Sequence, residues 1–438
     1  MSGNTNKIFI VECGGKLQGN IRVPGDKSIS HRSIMLGSLA TGTTKVSGFL
    51  EGEDNHATLN AFRAMGVTID HHGNGELTIH GVGLDGLKQP DGPLDLGNSG
   101  TSMRLMAGIA AGQNFSLTLT GDASLNTRPM RRVTDPLTEM GADISTGEGG
   151  TPPIKVKASG QLKALTYQLP MASAQVKSCV LLAGMYAKGQ TCVTEPAPTR
   201  DHTERMLSGF GYPVSRDGRT ACLDGGGALQ AMDIDVPADI SSATFYMVGA
   251  SIAKGSDITL ENVGINPTRD GVINILRLMG ADIELLNPRE ICGEPVADIR
   301  VKSAELNGID IPVEQVPLAI DEFPAIFVAA ACAKGTTVLT GAEELRVKES
   351  DRIQAMADGL QILGVDAKPT ADGIVIQGGT IGSGRVDSLG DHRIAMSFVM
   401  AGLRASGRIE IEDCANVDTS FPNFVELAQK SGISVSDN

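Results

Sequence analysis

Ala40-Thr41-Gly42, followed by Thr43-Thr44-Lys45-Val46 and then by Met65-Gly66-Val67, is the stretch that decides how this chain folds. The first phrase returns at Ala110-Ala111-Gly112, Ala187-Lys188-Gly189, Ala253-Lys254-Gly255, Ala333-Lys334-Gly335 and Ala405-Ser406-Gly407. The second returns at Met140-Gly141-Ala142, Phe210-Gly211-Tyr212, Met279-Gly280-Ala281, Leu363-Gly364-Val365 and Ser431-Gly432-Ile433. Successive first-phrase glycines lie between 66 residues (Gly189 to Gly255) and 80 residues (Gly255 to Gly335) apart. A period of this size means one supersecondary unit copied six times. It is too long for a solenoid repeat and fits a small βαβαββ-like module.

Each copy reads alike. A polar cluster opens an apolar helix such as Ser33-Ile34-Met35-Leu36, with Gly42 expected at its C′ position. A strand over residues 43–46 follows, then an amphipathic helix over 57–65 stopped by Gly66, then a further strand from Val67. Helical and strand periods alternate, so the class is α/β. A chain of 438 residues holds at least two domains, here three repeats each, with a boundary near Val236-Pro237-Ala238-Asp239. A strand over residues 7–12 precedes the first repeat and is a candidate to pair back into the second domain.

Composition narrows the function. At 41% hydrophobic and 20% charged residues the chain supports true cores, and no apolar run reaches the roughly 18 residues of a membrane span. No signal peptide is read at Met1-Ser2-Gly3-Asn4, and seven cysteines without a CxxC pair predict free thiols in a reducing cytoplasm. A net charge of −14 argues against a nucleic-acid partner, because a phosphate backbone demands a basic face. The cations are nevertheless gathered into short motifs, which points to a small anionic ligand in a local basic pocket.

Those motifs stand at helix starts: Pro24-Gly25-Asp26-Lys27-Ser28-Ile29-Ser30-His31-Arg32, Gly97-Asn98-Ser99-Gly100-Thr101-Ser102-Met103-Arg104, Ala172-Ser173-Ala174-Gln175-Val176-Lys177, Asp239-Ile240-Ser241-Ser242, Asp321-Glu322-Phe323-Pro324 and Gly390-Asp391-His392-Arg393. Unpaired N–H groups and the helix dipole make such starts anion sites. Capping alone explains the serines and aspartates. It does not explain Lys27, Arg32, Arg104 and Arg393, since cations there oppose the dipole and require a negative partner. Two more clusters join them, Asn126-Thr127-Arg128-Pro129-Met130-Arg131-Arg132 and Arg346-Val347-Lys348-Glu349-Ser350-Asp351-Arg352. The second also reads as a solvated, self-paired helix start ahead of a helix over 353–363.

Other motifs fail on context. Gly81-Val82-Gly83-Leu84-Asp85-Gly86 matches GxGxxG, but Pro90 and Pro93 stand where a helix must begin, so it is a turn. There is no Walker A segment and no G-x-S-x-G elbow. His71, His72 and His80 fall on a predicted hairpin without Cys or acidic ligands at metal spacing, which reads as solvated surface.

The combination resembles the 5-enolpyruvylshikimate-3-phosphate synthase family from Lys7 to the C-terminus. Residues 24–32, 97–104, 346–352 and 391–393 carry the resemblance. Its class II branch is suggested by Ser173-Ala174-Gln175-Val176-Lys177, Arg200-Asp201-His202-Thr203-Glu204 and Asn266-Pro267-Thr268-Arg269. The resemblance implies the enolpyruvyl transferase fold, an inside-out α/β barrel of two domains, each with three βαβαββ repeats around a pseudo-threefold axis. It places residues 1–21 and 240–438 in one domain and 22–239 in the other, with the active site in the cleft between them.

It further implies enolpyruvyl transfer from phosphoenolpyruvate to the 5-hydroxyl of shikimate 3-phosphate in the shikimate pathway to chorismate, through a tetrahedral intermediate. Shikimate 3-phosphate would be held by Lys27, Ser28, Arg32, Ser173, Gln175, Arg200, Asp321 and Lys348. Phosphoenolpyruvate would be held by Lys27, Gly100, Arg128, Gln175, Arg352 and Arg393. Asp321 and Glu349 would form the acid–base pair, with Lys27 assisting phosphate departure. No metal or organic cofactor, nucleic acid or membrane is called for, and a cytoplasmic monomer is the family default. One departure stands out. Other branches often carry Lys before the C-terminal Phe-Pro, where this chain has Ser420 in Thr419-Ser420-Phe421-Pro422. Together with the branch signatures, that missing cation leads us to expect partial tolerance of glyphosate despite Gly100.

Three other readings compete. UDP-N-acetylglucosamine enolpyruvyl transferase shares the chemistry but uses a cysteine in a basic, glycine-rich loop, which none of the seven here occupies. An RNA 3′-phosphate cyclase is opposed by the charge. A non-catalytic phosphosugar-binding protein needs the cations but neither Glu349 nor Asp321.

Overall fold

The computed structural model describes residues 7–158 and 161–438. The first six residues, on which the reading of an absent leader rests, lie outside them. The chain divides into two compact units, one of residues 25–237 with 290–294, the other of residues 1–24, 238–289 and 295–438.

In the unit of residues 25–237 each repeat supplies two helices. They are α1 (Lys27–Leu39) and α2 (Glu53–Ala64), α3 (Gly100–Ala111) and α4 (Arg131–Glu139), α5 (Ala174–Gly184) and α6 (His202–Gly209). The other unit holds α7 (Ile240–Ile252), α8 (Gly271–Leu278), α9 (Phe323–Cys332), α10 (Arg352–Ile362), α11 (His392–Gly402), the short α12 (Val417–Ser420) and α13 (Phe424–Ser431). The first helix of every repeat is apolar or small beyond its first two turns, where its few charged side chains are gathered, and lies inside. Every residue of α7 is buried, as is α1 from Ile29 to Leu39. Helices of that composition cannot face water on any side, so they become the centre and the sheets form the outside. Close packing needs small residues: a Cβ on Gly108 of α3 would collide with the Cys179 carbonyl of α5.

Each repeat carries its own sheet. After β1 (Phe9–Val11) and β2 (Gln18–Ile21), which pair elsewhere, the first repeat builds its sheet from β3 (Ala40–Ser47), β4 (Thr68–Gly73) and β5 (Glu76–Val82). β3 runs antiparallel to β5 from Thr41 opposite Val82 to Val46 opposite Leu77, and β4 pairs antiparallel with β5. Two short strands from the end of another repeat complete the sheet in parallel, with Leu229 opposite Ala40 and Ile234 opposite Val46. The same parallel hand-over joins Leu94–Asp95 to the second repeat and Thr166–Gln168 to the third. Three repeats linked in this cyclic order close a ring.

The other unit repeats the scheme. β2 pairs in parallel with residues 257–260, and β1 pairs antiparallel with residues 409–411 and 435–437. The amino-terminal segment is thus a structural part of the carboxy-terminal repeats.

Second-phrase glycines serve one purpose throughout. All six have positive φ, from 78° at Gly211 to 110° at Gly432, a left-handed stop that side chains resist. The first phrase behaves differently. α1 ends at Leu39, Ala40 already has extended geometry, and Gly42 sits inside β3 opposite Gly81 with φ 108°. The strand, rather than a C′ glycine, terminates the helix. α2 also starts earlier than expected, at Glu53.

The cysteine reading needs correction too. Cys192 and Cys222 are directly opposed in antiparallel strands of the third repeat and form a disulfide. Cross-strand opposition brings their side chains together, which spacing in the sequence cannot reveal. Cys13, Cys179, Cys292, Cys332 and Cys414 are free. Among the described residues no helix is long and apolar enough to cross a membrane.

Candidate active site

Five of the six inner helices open on a side chain that accepts a backbone N–H: Asp26, Ser99, Ser173, Asp239 and Asp391. α9 instead opens with Pro324 in its first turn and no side-chain cap.

In the unit of residues 25–237, Arg32 projects from the second turn of α1 and is almost wholly buried. Its Nε donates to Thr203 Oγ1 at 2.7 Å, Nη2 to Ser178 Oγ at 3.0 Å and Nη1 to the Ser28 carbonyl at 2.9 Å. All three acceptors are neutral. Burial pushes its pKa down to about 10, against the pull of Glu204, Asp26 and Glu294 and with some help from Arg200.

Arg104 tells the same story on α3. It donates to Gln175 Oε1, and Gln175 Nε2 in turn donates to Thr101 Oγ1 at 3.1 Å. Burial, then Arg132 and Arg128, bring Arg104 to about 10. Arg128 reaches the carbonyl and side-chain oxygens of Asn98 and the Ser124 hydroxyl at 3.3 Å. Gly100 lies beneath both guanidinium groups, since a Cβ there would stand 3.3 Å from Nη1 of Arg104 and of Arg128. Lys27 differs by having an acid, with Nζ 2.5 Å from Asp54 Oδ2 of α2. Beneath these cations a buried relay of His31, Thr58, Ser102 and Ser99 ties the starts of α1, α2 and α3 together.

The other unit meets its cations with carboxylates. Arg352 opens α10 and its side chain is 1% exposed. Nε donates to Asp391 Oδ2 at 2.8 Å, Nη2 to Glu349 Oε2 at 2.6 Å and Nη1 to Asp321 Oδ1 at 3.4 Å. Burial opposes its charge, but Asp391, Glu349 and Asp321 outweigh that and raise its pKa. Lys348 Nζ stands 2.5 Å from Glu344 and 3.3 Å from Asp321 Oδ1. Arg393 donates to the Asp321 carbonyl at 3.0 Å and faces Glu322 at 3.9 Å. Glu349 and Asp391 are both held below the usual carboxylate range, because Arg352 overcomes the cost of burial. His392 is pushed down to about 3, first by burial and then by Arg393.

The predicted residues therefore fall into two sets. Lys27, Ser28, Arg32, Gly100, Arg128, Ser173, Gln175 and Arg200 belong to one unit, and Asp321, Lys348, Glu349, Arg352 and Arg393 to the other. The self-paired reading of residues 346–352 holds in part, as Arg346 pairs with Asp351 at 2.6 Å. Asp54, Thr203, Ser178 and Asn98, which hold the cations in place, were not singled out for that role by the sequence. Only their polar character could have suggested them. The branch-signature residues Lys177 and Glu204 form a buried ion pair at 2.8 Å, flanked by Glu195 at 3.0 Å. Arg269 of the third signature donates to Asp239 at 2.9 Å and Ser241 at 2.7 Å. These groups brace the helix starts from behind.

Two rings of inner helices with cations collected at their amino ends define an α/β enzyme built to handle small, multiply charged anions. The model of the family described as EPSP synthase (3-phosphoshikimate 1-carboxyvinyltransferase) matches residues 11–427, and the chain belongs to that family. It is 68% identical over 428 residues to the 3-phosphoshikimate 1-carboxyvinyltransferase of Methylococcus capsulatus, covering 98% of each. It is 67% identical to that of Alkalilimnicola ehrlichii, covering 98% of this chain and 96% of the relative. A solved structure of EPSP synthase from Acinetobacter baumannii superposes with a TM-score of 0.95 at 58% identity, over 99% of this chain and 100% of that one.

Proposed function

We infer that this chain transfers the enolpyruvyl group of phosphoenolpyruvate to the 5-hydroxyl of shikimate 3-phosphate and releases phosphate. Full-length identity to enzymes of that name supports the reaction. The observation that carries the chemistry is Arg352, whose one guanidinium touches both Asp321 and Glu349. An anion drawn to Arg352 would lie between two carboxylates, the arrangement that proton transfer in both directions requires.

In the addition step the hydroxyl oxygen bonds to C2 of phosphoenolpyruvate while its proton leaves and another is delivered to C3. The tetrahedral intermediate then loses a proton from the new methyl group as the C2–O bond to phosphate breaks. Glu349, 55% exposed at its side chain and ionised, and Asp321 are assigned these transfers. Lys27 is assigned the departing phosphate, to which it would turn from Asp54. Arg32, Ser28, Ser173, Gln175, Arg200 and Lys348 are assigned to shikimate 3-phosphate. Arg128, Gly100, Gln175, Arg352 and Arg393 are assigned to phosphoenolpyruvate. The chain would act as a cytoplasmic monomer, a statement that rests on family resemblance.

Phosphate release tests the reading. Release with phosphoenolpyruvate plus shikimate 3-phosphate, and none with UDP-N-acetylglucosamine, is expected. Release with only the second acceptor would reassign the chain to the sister chemistry, and none with either would favour a binding protein.

A further inference from the structure

His71 of β4 does not stand alone on its hairpin, as its sequence surroundings suggested. Its Nε2 lies 2.9 Å from both oxygens of Glu51, and Nε2 of His56, on α2, lies 2.9 Å from Glu51 Oε2. Two imidazole nitrogens and one carboxylate oxygen thus converge, all within 4.8 Å of one another. They arrive from three separate stretches of backbone: the loop before α2, α2 itself, and the β4–β5 hairpin.

The surroundings hold the three groups in place. Glu51 Oε1 accepts the Gly75 N–H at 2.8 Å, which fixes the carboxylate from behind. The His56 ring is set edge-on against Phe49 at 6.0 Å and against His71 at 5.3 Å, so both rings aim the same nitrogen at one point. Their side chains are 28–35% exposed, leaving an approach from solvent. In one tautomer each Nε2 donates its N–H to Glu51, and in the other the same two nitrogens turn their lone pairs toward the point the carboxylate faces, where a cation can take the place of the protons.

We propose that Glu51, His56 and His71 form a binding site for a first-row divalent cation of the imidazole-seeking kind, with Zn²⁺ the reference ion. A set of two nitrogens and one oxygen suits Zn²⁺ and its neighbours and is a poor match for Ca²⁺ or Mg²⁺, which take oxygen cages. Three protein ligands leave a fourth position for water. Bound there, the ion ties the start of α2 to the hairpin. Glu51 is already held below the usual carboxylate range, since hydrogen bonds from His71 and Gly75 outweigh its partial burial. His72 and His80 stay outside the set, bonded to Thr78 at 3.0 Å and Asp70 at 3.3 Å.

Calorimetric titration of the chelator-treated full chain with ZnCl₂ tests the site. One ion per chain, bound tighter than about 100 µM, is expected. His56→Ala and His71→Ala should each weaken binding by tenfold or more, while His72→Ala and His80→Ala leave it unchanged. Zinc-edge anomalous scattering from crystals of the unmutated protein should place the ion between the two Nε2 atoms and Glu51, and does not depend on any variant folding. An absent titration, binding undiminished in the His56→Ala/His71→Ala double variant, or an anomalous peak elsewhere would overturn the proposal.

Discussion

Arg32 and Arg352 are both buried, both near the start of a helix and both assigned to substrate anions, yet they are held in opposite ways. Arg32 rests on two hydroxyls and a carbonyl, and burial depresses its pKa. Arg352 rests on three carboxylates, and its pKa is raised. The first feels Glu204, Asp26 and Glu294 only at a distance and has no carboxylate as a hydrogen-bond partner, which in the proposed function leaves that place to the ligand. The second is balanced within the protein and, in the proposed function, would exchange carboxylate contacts for substrate contacts. One unit is therefore a preformed anion cradle, and the other a charge network in which acids and cations are coupled. The proposed function assigns acid–base chemistry to the second, because a carboxylate whose cation is drawn toward substrate changes its affinity for protons.

The largest effect is expected at Glu349. Glu349→Gln keeps the shape and removes the charge, and should lower kcat by about 10²–10⁴-fold with little loss of shikimate 3-phosphate affinity. Turnover within threefold of the parent enzyme would place the chemistry elsewhere.

Stability should separate the two arginines. Arg352→Met leaves Asp321, Glu349 and Asp391 facing one another and should cost about 3–5 kcal/mol in denaturant unfolding. Arg32→Met removes a charge that burial penalises, leaves neutral acceptors behind, and should cost no more than about 1–2 kcal/mol. Equal losses would erase the distinction.

A smaller change is expected at Gly100. Gly100→Ala places a methyl group 3.3 Å from the ends of two flexible arginines, so the fold should accept it. Inhibition by glyphosate against varied phosphoenolpyruvate should weaken about tenfold from an already tolerant baseline, with a smaller rise in KM. A baseline inhibition constant well below the KM for phosphoenolpyruvate would show that Gly100 outweighs the branch signatures and the serine at position 420.

The smallest effect concerns acid. His392 is kept neutral in the fold, with its pKa lowered from the ordinary 6.5 to about 3. The unfolded chain therefore binds the proton first, and stability that is complete above pH 6.5 drains away as pH falls toward 3. Glu349 and Asp391, held low, lose their contribution over the lower part of the same range. His392→Asn should flatten the decline in unfolding free energy between pH 7 and 5, followed by denaturant titration, by on the order of 1 kcal/mol. An unchanged slope would mean that the imidazole is not protected from protons.

What could be read in the sequence follows from this physics. The repeat was legible because left-handed stops such as Gly66 and Gly280 are local demands on single residues. The cations were legible because Lys27, Arg32 and Arg104 oppose a helix dipole that the sequence itself announces. Their holders were not: Thr203 and Ser178 reach Arg32 from the third repeat, and Asp54 reaches Lys27 from the next helix, through packing that no spacing encodes. The same holds for the disulfide between Cys192 and Cys222 and for the convergence of Glu51 and His56 on His71. Gly42 was misplaced for a simpler reason, that a strand starting at Ala40 ends the helix before a glycine is needed.

Calorimetric binding of shikimate 3-phosphate alone tests the contrast between cradle and network most directly. Arg32 has only neutral hydrogen-bond acceptors to give up, whereas Lys348, in the proposed function, would leave Glu344 and Asp321 to reach the ligand. Arg32→Met should therefore weaken binding by about 10–100-fold, and Lys348→Met by several-fold less. A loss at Lys348 equal to or greater than the loss at Arg32 would contradict the account.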